Sequence, residues 1–128
     1  MWGRAAEISQ GPAPGLPQVL VHGDFHPSNV LWRRGRVSGV VDWQAARAGP
    51  AVTDVAHCRV NLLTLGAGAA ERFTACWQRA SGDTYHPWAD VVIIIGFLDD
   101  LRDDPGSDRF LIEDMLARAV AGLGQASR

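Results

Sequence analysis

The stretch Val19-Leu20-Val21-His22-Gly23-Asp24-Phe25-His26-Pro27-Ser28-Asn29-Val30-Leu31-Trp32 sets a polar loop between two short apolar runs. Residues 19–21 read as a buried strand, because β-branched and aliphatic side chains suit a covered, pleated surface. The loop of residues 24–28 follows. Residues 30–32 and 37–41 then flank Arg33-Arg34-Gly35-Arg36, which is the pattern of a β-hairpin. With Gly35-Arg36 as a two-residue turn, glycine standing first where a positive φ is needed, Asn29 lies directly opposite Asp42.

Beyond the hairpin the apolar period changes. Val55, Cys58, Leu62 and Leu65 recur at the three-and-four spacing of an amphipathic helix. A second helix is expected over residues 69–80, burying Phe73, Cys76 and Trp77 and stopping at Ser81-Gly82. A third starts near Pro87, a favoured first-turn residue, and runs to about Leu101. After a loop over residues 102–106, Ser107 or Asp108 caps a last helix that carries Phe110, Leu111, Met115, Leu116, Val120 and Leu123. In the other direction, Gly11-Pro12-Ala13-Pro14-Gly15-Leu16-Pro17 is too rich in proline and glycine for a helix or a central strand. The expected layout is therefore a connector, or remnant of a preceding helix, over residues 1–18, and one α+β, mostly helical unit over residues 19–128: a hairpin followed by about four helices.

Composition narrows the function classes. The chain has 128 residues, 47% of them hydrophobic and 20% charged, enough for one ordinary globular domain. A net charge of -2 argues against a nucleic-acid surface, which shows clustered basic residues. All 12 basic residues are arginine, so any role that needs a lysine must be filled from outside the chain. The longest apolar run, residues 91–98, falls far short of the roughly 20 residues that span a bilayer, and residues 1–17 lack the apolar centre of a secretory signal. Cytoplasmic residence is the expectation. Cys58 and Cys76 lack the spacing of a zinc site or a disulfide scaffold and read as reduced core residues.

The chemistry-bearing residues cluster at the loop and the hairpin end. Facing residues in an antiparallel pair have Cα atoms about 4.5–5.5 Å apart, so Asn29 and Asp42 could share a metal ion. Magnesium takes oxygen ligands and is commonly held by one or two carboxylates together with substrate phosphates. Asp24, five residues before Asn29, could point into the same space and accept a substrate hydroxyl's proton late in the reaction. An aspartate with a pKa of about 3.9 cannot deprotonate an alcohol outright. That division of labour suits phosphoryl transfer, in which positioning and charge neutralisation do most of the work.

His22-Gly23-Asp24 with Asn29 resembles the catalytic loop of the aminoglycoside phosphotransferase and choline kinase superfamily, and Val41-Asp42-Trp43 is similar to the metal-binding motif of protein kinases. Gly49-Pro50-Ala51 and Asp54-Val55-Ala56 resemble the family's segment entering its first large helix. The likeness is specific over residues 20–62. It implies a protein-kinase-like carboxy-terminal lobe, with Asp24 as catalytic base, Asn29 and Asp42 as Mg2+ ligands, His22 and Asp54 organising the loop, and His26 touching substrate or phosphate. ATP or GTP would be the donor and a small hydroxyl-bearing molecule the acceptor. In this family, acidic residues such as Asp99, Asp100, Asp103, Asp104 and Asp108 would suit a cationic substrate. The family's amino-terminal lobe, with its phosphate loop and lysine, is not visible in residues 1–128. That implies a partner lobe, or self-association through the face it would cover.

Two other readings stay open from the residues alone. His22, Asp24 and His26 alternate along the chain and, with Asp42, could hold zinc in a metal-dependent hydrolase. Asp54 could be no more than a helix cap, and the chain a non-catalytic remnant or interaction module.

Overall fold

The structure, a computed structural model, describes residues 1–98 and 108–125. Its larger half is helical. The amino-terminal helix α1 (Trp2–Gln10), α4 (Trp88–Gly96) and the last helix α5 (Asp108–Gln125) converge on a core of Ala5, Val91, Ile94, Met115, Leu116 and Ala119, all buried. The side chain of Ala5 is small enough to let α1 sit closely against α4. Residues 2–10 thus belong to the same core as the later helices, and residues 11–17 connect them to the first strand. Helix α2 (Ala51–Leu62) packs on α3 (Ala69–Ser81) and on α4, where Val52, Ala56 and Ala89 are buried beside Trp77, Tyr85 and Trp88.

The remaining chain forms two antiparallel strand pairs. Strand β1 (Gln18–Val21) pairs with β4 (Arg47–Pro50), and β2 (Val30–Arg33) pairs with β3 (Arg36–Val40) in the hairpin. The turn falls one residue earlier than expected. Arg34 and Gly35 both carry positive φ, 52° and 75°, which is the twist-matched geometry of a two-residue hairpin loop. Arg33 therefore faces Arg36, and a bulge between Leu31 and Trp32 shifts the register so that Val30 faces Val40. Asn29 consequently lies across from Val41, whose N–H donates to the Asn29 carbonyl at 2.9 Å, and not across from Asp42.

Strand β4 corrects the expectation that everything after the hairpin is helical. Arg-Ala-Gly-Pro has no strand propensity of its own, and β1 imposes the extended form by pairing. Gly49 sits opposite Val19, and a Cβ there would come within 3.2 Å of a Val21 methyl. Strand β1 is also less covered than a buried strand: Val21 is buried, while Leu20 is 73% exposed.

The helices follow the apolar period, with adjusted ends. Helix α2 begins at Ala51 behind Pro50, and α3 stops at Gly82, whose φ of 77° closes the helix in the left-handed conformation. Helix α4 ends at Gly96, where the Phe97 N–H is shared between the carbonyls of Ile93 and Ile94. The expected continuation to Leu101, and the loop over 102–106, lie outside the described residues. In α5, Met115 and Leu116 are buried, whereas Phe110 is exposed on the opposite side. Cys58 is buried on α2, but Cys76 is exposed on α3, where it accepts a hydrogen bond from Arg79.

One buried ion pair ties α2 to α4. The Arg59 guanidinium donates from Nε and Nη2 to both Asp90 oxygens, at 3.0 and 3.2 Å, and from Nη1 to Thr74 of α3. The Tyr85 hydroxyl donates to the same Asp90 oxygen, and the Tyr85 ring lies 4.7 Å beneath the guanidinium. Burial disfavours the Arg59 charge, but Asp90 more than offsets it and holds the guanidinium above its ordinary pKa. Burial, with Asp90 beside it, pushes the Tyr85 hydroxyl up.

Removing one partner would leave the other buried and unpaired, so Asp90→Ala is expected to lower unfolding stability by about 3–5 kcal/mol. A urea titration that shows a loss below about 1 kcal/mol would refute the pair's structural role. Burial raises the Cys58 thiol to about 11, leaving almost no thiolate near neutral pH. A disulfide reagent at pH 8 should therefore modify one thiol quickly in the folded chain, and Cys76→Ser should abolish that fast phase.

Candidate active site

The loop after β1 is held from below by the first turns of α2. Asp54 Oδ2 accepts the His22 N–H at 2.7 Å and Oδ1 accepts the Gly23 N–H at 2.9 Å. Asp54 does not cap its own helix, since both oxygens are spent on a segment more than 30 residues away in the chain. Gly23 has a φ of 87°, and a Cβ there would run into the carbonyl of Ala45. Only glycine lets the chain turn this tightly beneath the residue that follows.

His22 is locked by two bonds. Its Nε2 donates to the Val41 carbonyl at 2.7 Å, and its Nδ1 accepts the Asp24 N–H at 3.1 Å, so the ring is the Nε2–H tautomer. Trp43 packs on the same ring at 4.6 Å. Val41 is thus gripped on both sides, by His22 at its carbonyl and by Asn29 at its N–H. The next residue, Asp42, turns into the left-handed region with a φ of 64°, a conformation that aspartate tolerates better than most residues. Its carboxylate makes no hydrogen bond or ion pair among the described residues, and it is exposed.

Asn29 is buried, and its Nδ2 donates to the Asp24 carbonyl at 2.8 Å and to Asp24 Oδ2 at 3.3 Å. That leaves the Asn29 amide oxygen as a hard donor atom with no competing bond. Asp24 and Asn29 thus meet directly, while Asp42 is the residue after Val41, which the Asn29 carbonyl holds by its N–H. The acidic run places only Asp108 among the described residues.

Two imidazoles approach the other Asp24 oxygen. His26 Nε2 is 3.6 Å and His57 Nε2 is 3.4 Å from Asp24 Oδ1. His26 Nδ1 accepts the Ser28 N–H, which opens a short 3-10 turn at Pro27–Asn29. His57, from the middle of α2, meets the Phe25 carbonyl through Nδ1 at 3.1 Å and packs edge-on against Phe97. Burial holds the His57 imidazole below its ordinary pKa, while the Phe25 carbonyl and the Asp24 charge pull the other way. His57 belongs to no motif in the sequence. Its i+3 spacing from Asp54 on one helix face was the available signal, because it sends both side chains to the same loop.

Asn29 and Asp42 offer oxygen atoms of the kind that a magnesium-type ion takes together with phosphates and water. They do not make a zinc centre. Both His22 nitrogens are already bonded, and among the described residues no three His, Cys, Asp or Glu side chains form a group that could hold a metal. The hydrolase reading required His22 and His26 to converge, and it fails on that geometry.

The sequence profile of the Phosphotransferase enzyme family matches residues 1–91. An uncharacterized kinase-like protein of Caenorhabditis elegans is 33% identical over 60 residues, which cover 45% of this chain and 15% of that protein. Among solved structures, a thermostable mutant of the aminoglycoside phosphotransferase APH(4)-Ia in its apo form superposes with a TM-score of 0.63 at 21% identity, covering 94% of this chain and 43% of that one. The same protein in ternary complex with AMP-PNP and hygromycin B gives a TM-score of 0.64. The chain thus spans less than half the length of the relatives it matches.

Asp54→Ala would orphan two backbone donors at a cost of about 1–3 kcal/mol each, whereas Asp54→Asn keeps one acceptor. The expected order of urea midpoints is wild type, then Asp54→Asn, then Asp54→Ala. An Asp54→Asn midpoint equal to wild type would show that the second bond contributes nothing.

Proposed function

Since this chain belongs to the phosphotransferase enzyme family, we propose that it transfers the γ-phosphoryl group of a nucleoside triphosphate, ATP or GTP, to a hydroxyl of a small molecule. The proposed acceptor is an aminoglycoside or another metabolite carrying amino and hydroxyl groups. One observation carries the reading: Asn29 donates to Asp24 through its side chain while its carbonyl takes the N–H of Val41, so that Asp42 follows at once. Asn29, itself one proposed ligand, thus fastens the proposed proton acceptor directly and the residue before the other proposed ligand through its carbonyl.

In this reading Asp24 orients the acceptor hydroxyl and receives its proton as the new O–P bond forms and the bond from γ-phosphorus to the departing diphosphate breaks. Asn29 through its amide oxygen and Asp42 through its carboxylate would hold Mg2+, which supplies charge neutralisation to the phosphates when bound. His22 and Asp54 keep the loop in register, and His26 at the rim of Asp24 reaches the substrate or a phosphate oxygen. The strained φ of Asp42 suits this task, since such backbone persists where the surroundings over-determine it.

Several large apolar side chains on the strands and loops around the site are exposed. Leu20 is 73%, Trp32 65% and Trp43 48% exposed, with Leu31 and Val37 beside them in the hairpin. Patches of this kind mark interaction surfaces. We propose that a nucleotide-cradling lobe outside residues 1–128 covers this face and provides the lysine this chain lacks, with self-association as what the face does otherwise. The proposed setting is the cytoplasm.

The test is transfer of labelled γ-phosphate from Mg-ATP or Mg-GTP to a panel of amino-hydroxyl acceptors, with the chain alone and joined to such a lobe. Asp24→Asn is expected to lower kcat by about 10²–10⁴-fold while the KM for nucleotide stays within a few fold. Unchanged turnover in Asp24→Asn would overturn the role of Asp24.

A further inference from the structure

The tip of the β2–β3 hairpin carries unanswered cations. Among the described residues Arg33, Arg34 and Arg36 are exposed and make no hydrogen bond or ion pair, whereas every other described arginine bonds a carboxylate, a carbonyl or, for Arg79, the Cys76 sulfur. Local stability opposes this arrangement twice. Arg33 directly faces Arg36, and like charges in facing positions destabilise a strand pair. Arg34 holds a φ of 52°, where a two-residue hairpin loop favours asparagine, aspartate or glycine. Behind the arginines Trp32 faces Val37, and the two are 65% and 56% exposed. Strands β2 and β3 pack chiefly on each other and not on the helices. The tip is thus apolar, cationic and open, on a chain whose formal net charge of -2 leaves the remainder acidic.

A recess of opposite charge lies elsewhere on the same chain. It encloses about 270 Å³ between the connector, the two paired strands β1 and β4, and the end of α3, with Leu16, Val19, Pro50 and Trp77 in its wall. Asp83 also lines it, exposed, with a carboxylate that makes no bond among the described residues. Asp83 follows the carboxyl end of α3, the negative pole of that helix, and Arg79, the basic residue of the last turn, is spent on Cys76. We infer that a second copy of this chain docks its hairpin tip here, Trp32 and Val37 against the apolar wall and the arginines against Asp83 and the end of α3. Two tips cannot pair with each other, since that would set arginine against arginine. The contact is therefore heterologous, tip to recess, and closes as a ring or continues as an open chain. It names the contact by which the exposed apolar face self-associates, and it rests on that reading of the face and not on phosphoryl transfer.

Sedimentation velocity of the full chain over a range of concentrations tests it. The wild type should form species larger than the monomer at low salt and shift toward the monomer in about 1 M salt, where the screening length falls to about 3 Å. Arg33→Glu/Arg34→Asn/Arg36→Glu reverses the tip, with asparagine chosen to suit the turn, and Asp83→Arg reverses the recess. Each variant alone should raise the dissociation constant about tenfold or more, because like charges then meet across the contact. An equal mixture of the two should recover association, since the intact tip of one meets the intact recess of the other. Arg36→Gln and Asp83→Asn, milder changes at exposed positions, should weaken association in the same direction. Association that persists in both reversed variants overturns this contact and leaves the self-association reading standing, while a wild type that is monomeric throughout overturns both. Capture of a monomeric wild type, but not of the tip variant, on phosphatidylserine vesicles assigns the arginines to a membrane and also overturns the proposal.

Discussion

Everything at the site hangs from the carboxylate of Asp54. It projects from the first turns of α2 and takes the N–H groups of His22 and Gly23. Two charge-assisted bonds to consecutive backbone donors fix both the position and the direction of a loop, in a way that a single bond would not. From that anchor the order propagates: Gly23 turns, His22 reaches the Val41 carbonyl, Asn29 takes the Val41 N–H, and the residues between and after them converge. A chemically useful corner arises because a helix and a hairpin far apart in sequence share these few bonds.

The anchor is only as firm as the helix that carries it. Helix α2 is held to α3 and α4 by Arg59, whose Nε, Nη1 and Nη2 each donate to Asp90 or Thr74 and whose flat face is met by Tyr85. One face of α2 therefore presents Asp54 and His57 to the loop, while Arg59 reaches the helical layer behind. The strand pairs contribute less to this rigidity. They are short, and their outer residues, Leu20 and Trp32 among them, remain exposed to solvent.

Much of this was legible in the sequence. The hairpin and the helices that follow residue 50 come from period and punctuation, whereas the register that set Asn29 opposite Asp42 did not hold. What failed to show had physical causes. The turn at Arg34-Gly35 demands a positive φ from an arginine, which composition disfavours, and the bulge at Leu31 leaves no mark in the alternation. Strand β4 exists only because β1 pairs with it. Cys76 and Phe110 fall on helix faces that the apolar period alone cannot distinguish from core when neighbouring positions are also apolar. His57 was hidden for a different reason: its partner carboxylate lies in another segment, and only the fold brings them within reach.

The most direct measurement of the central claim is isothermal titration of Mg-ATP and Mg-GTP into the chain joined to a nucleotide-cradling lobe, with wild type and Asp42→Ala compared. The account predicts saturable binding in the wild type that depends on Mg2+ and weakens at least tenfold in Asp42→Ala, corresponding to about 1.4 kcal/mol. Equal affinities in the two proteins, or no binding of either nucleotide, would contradict it.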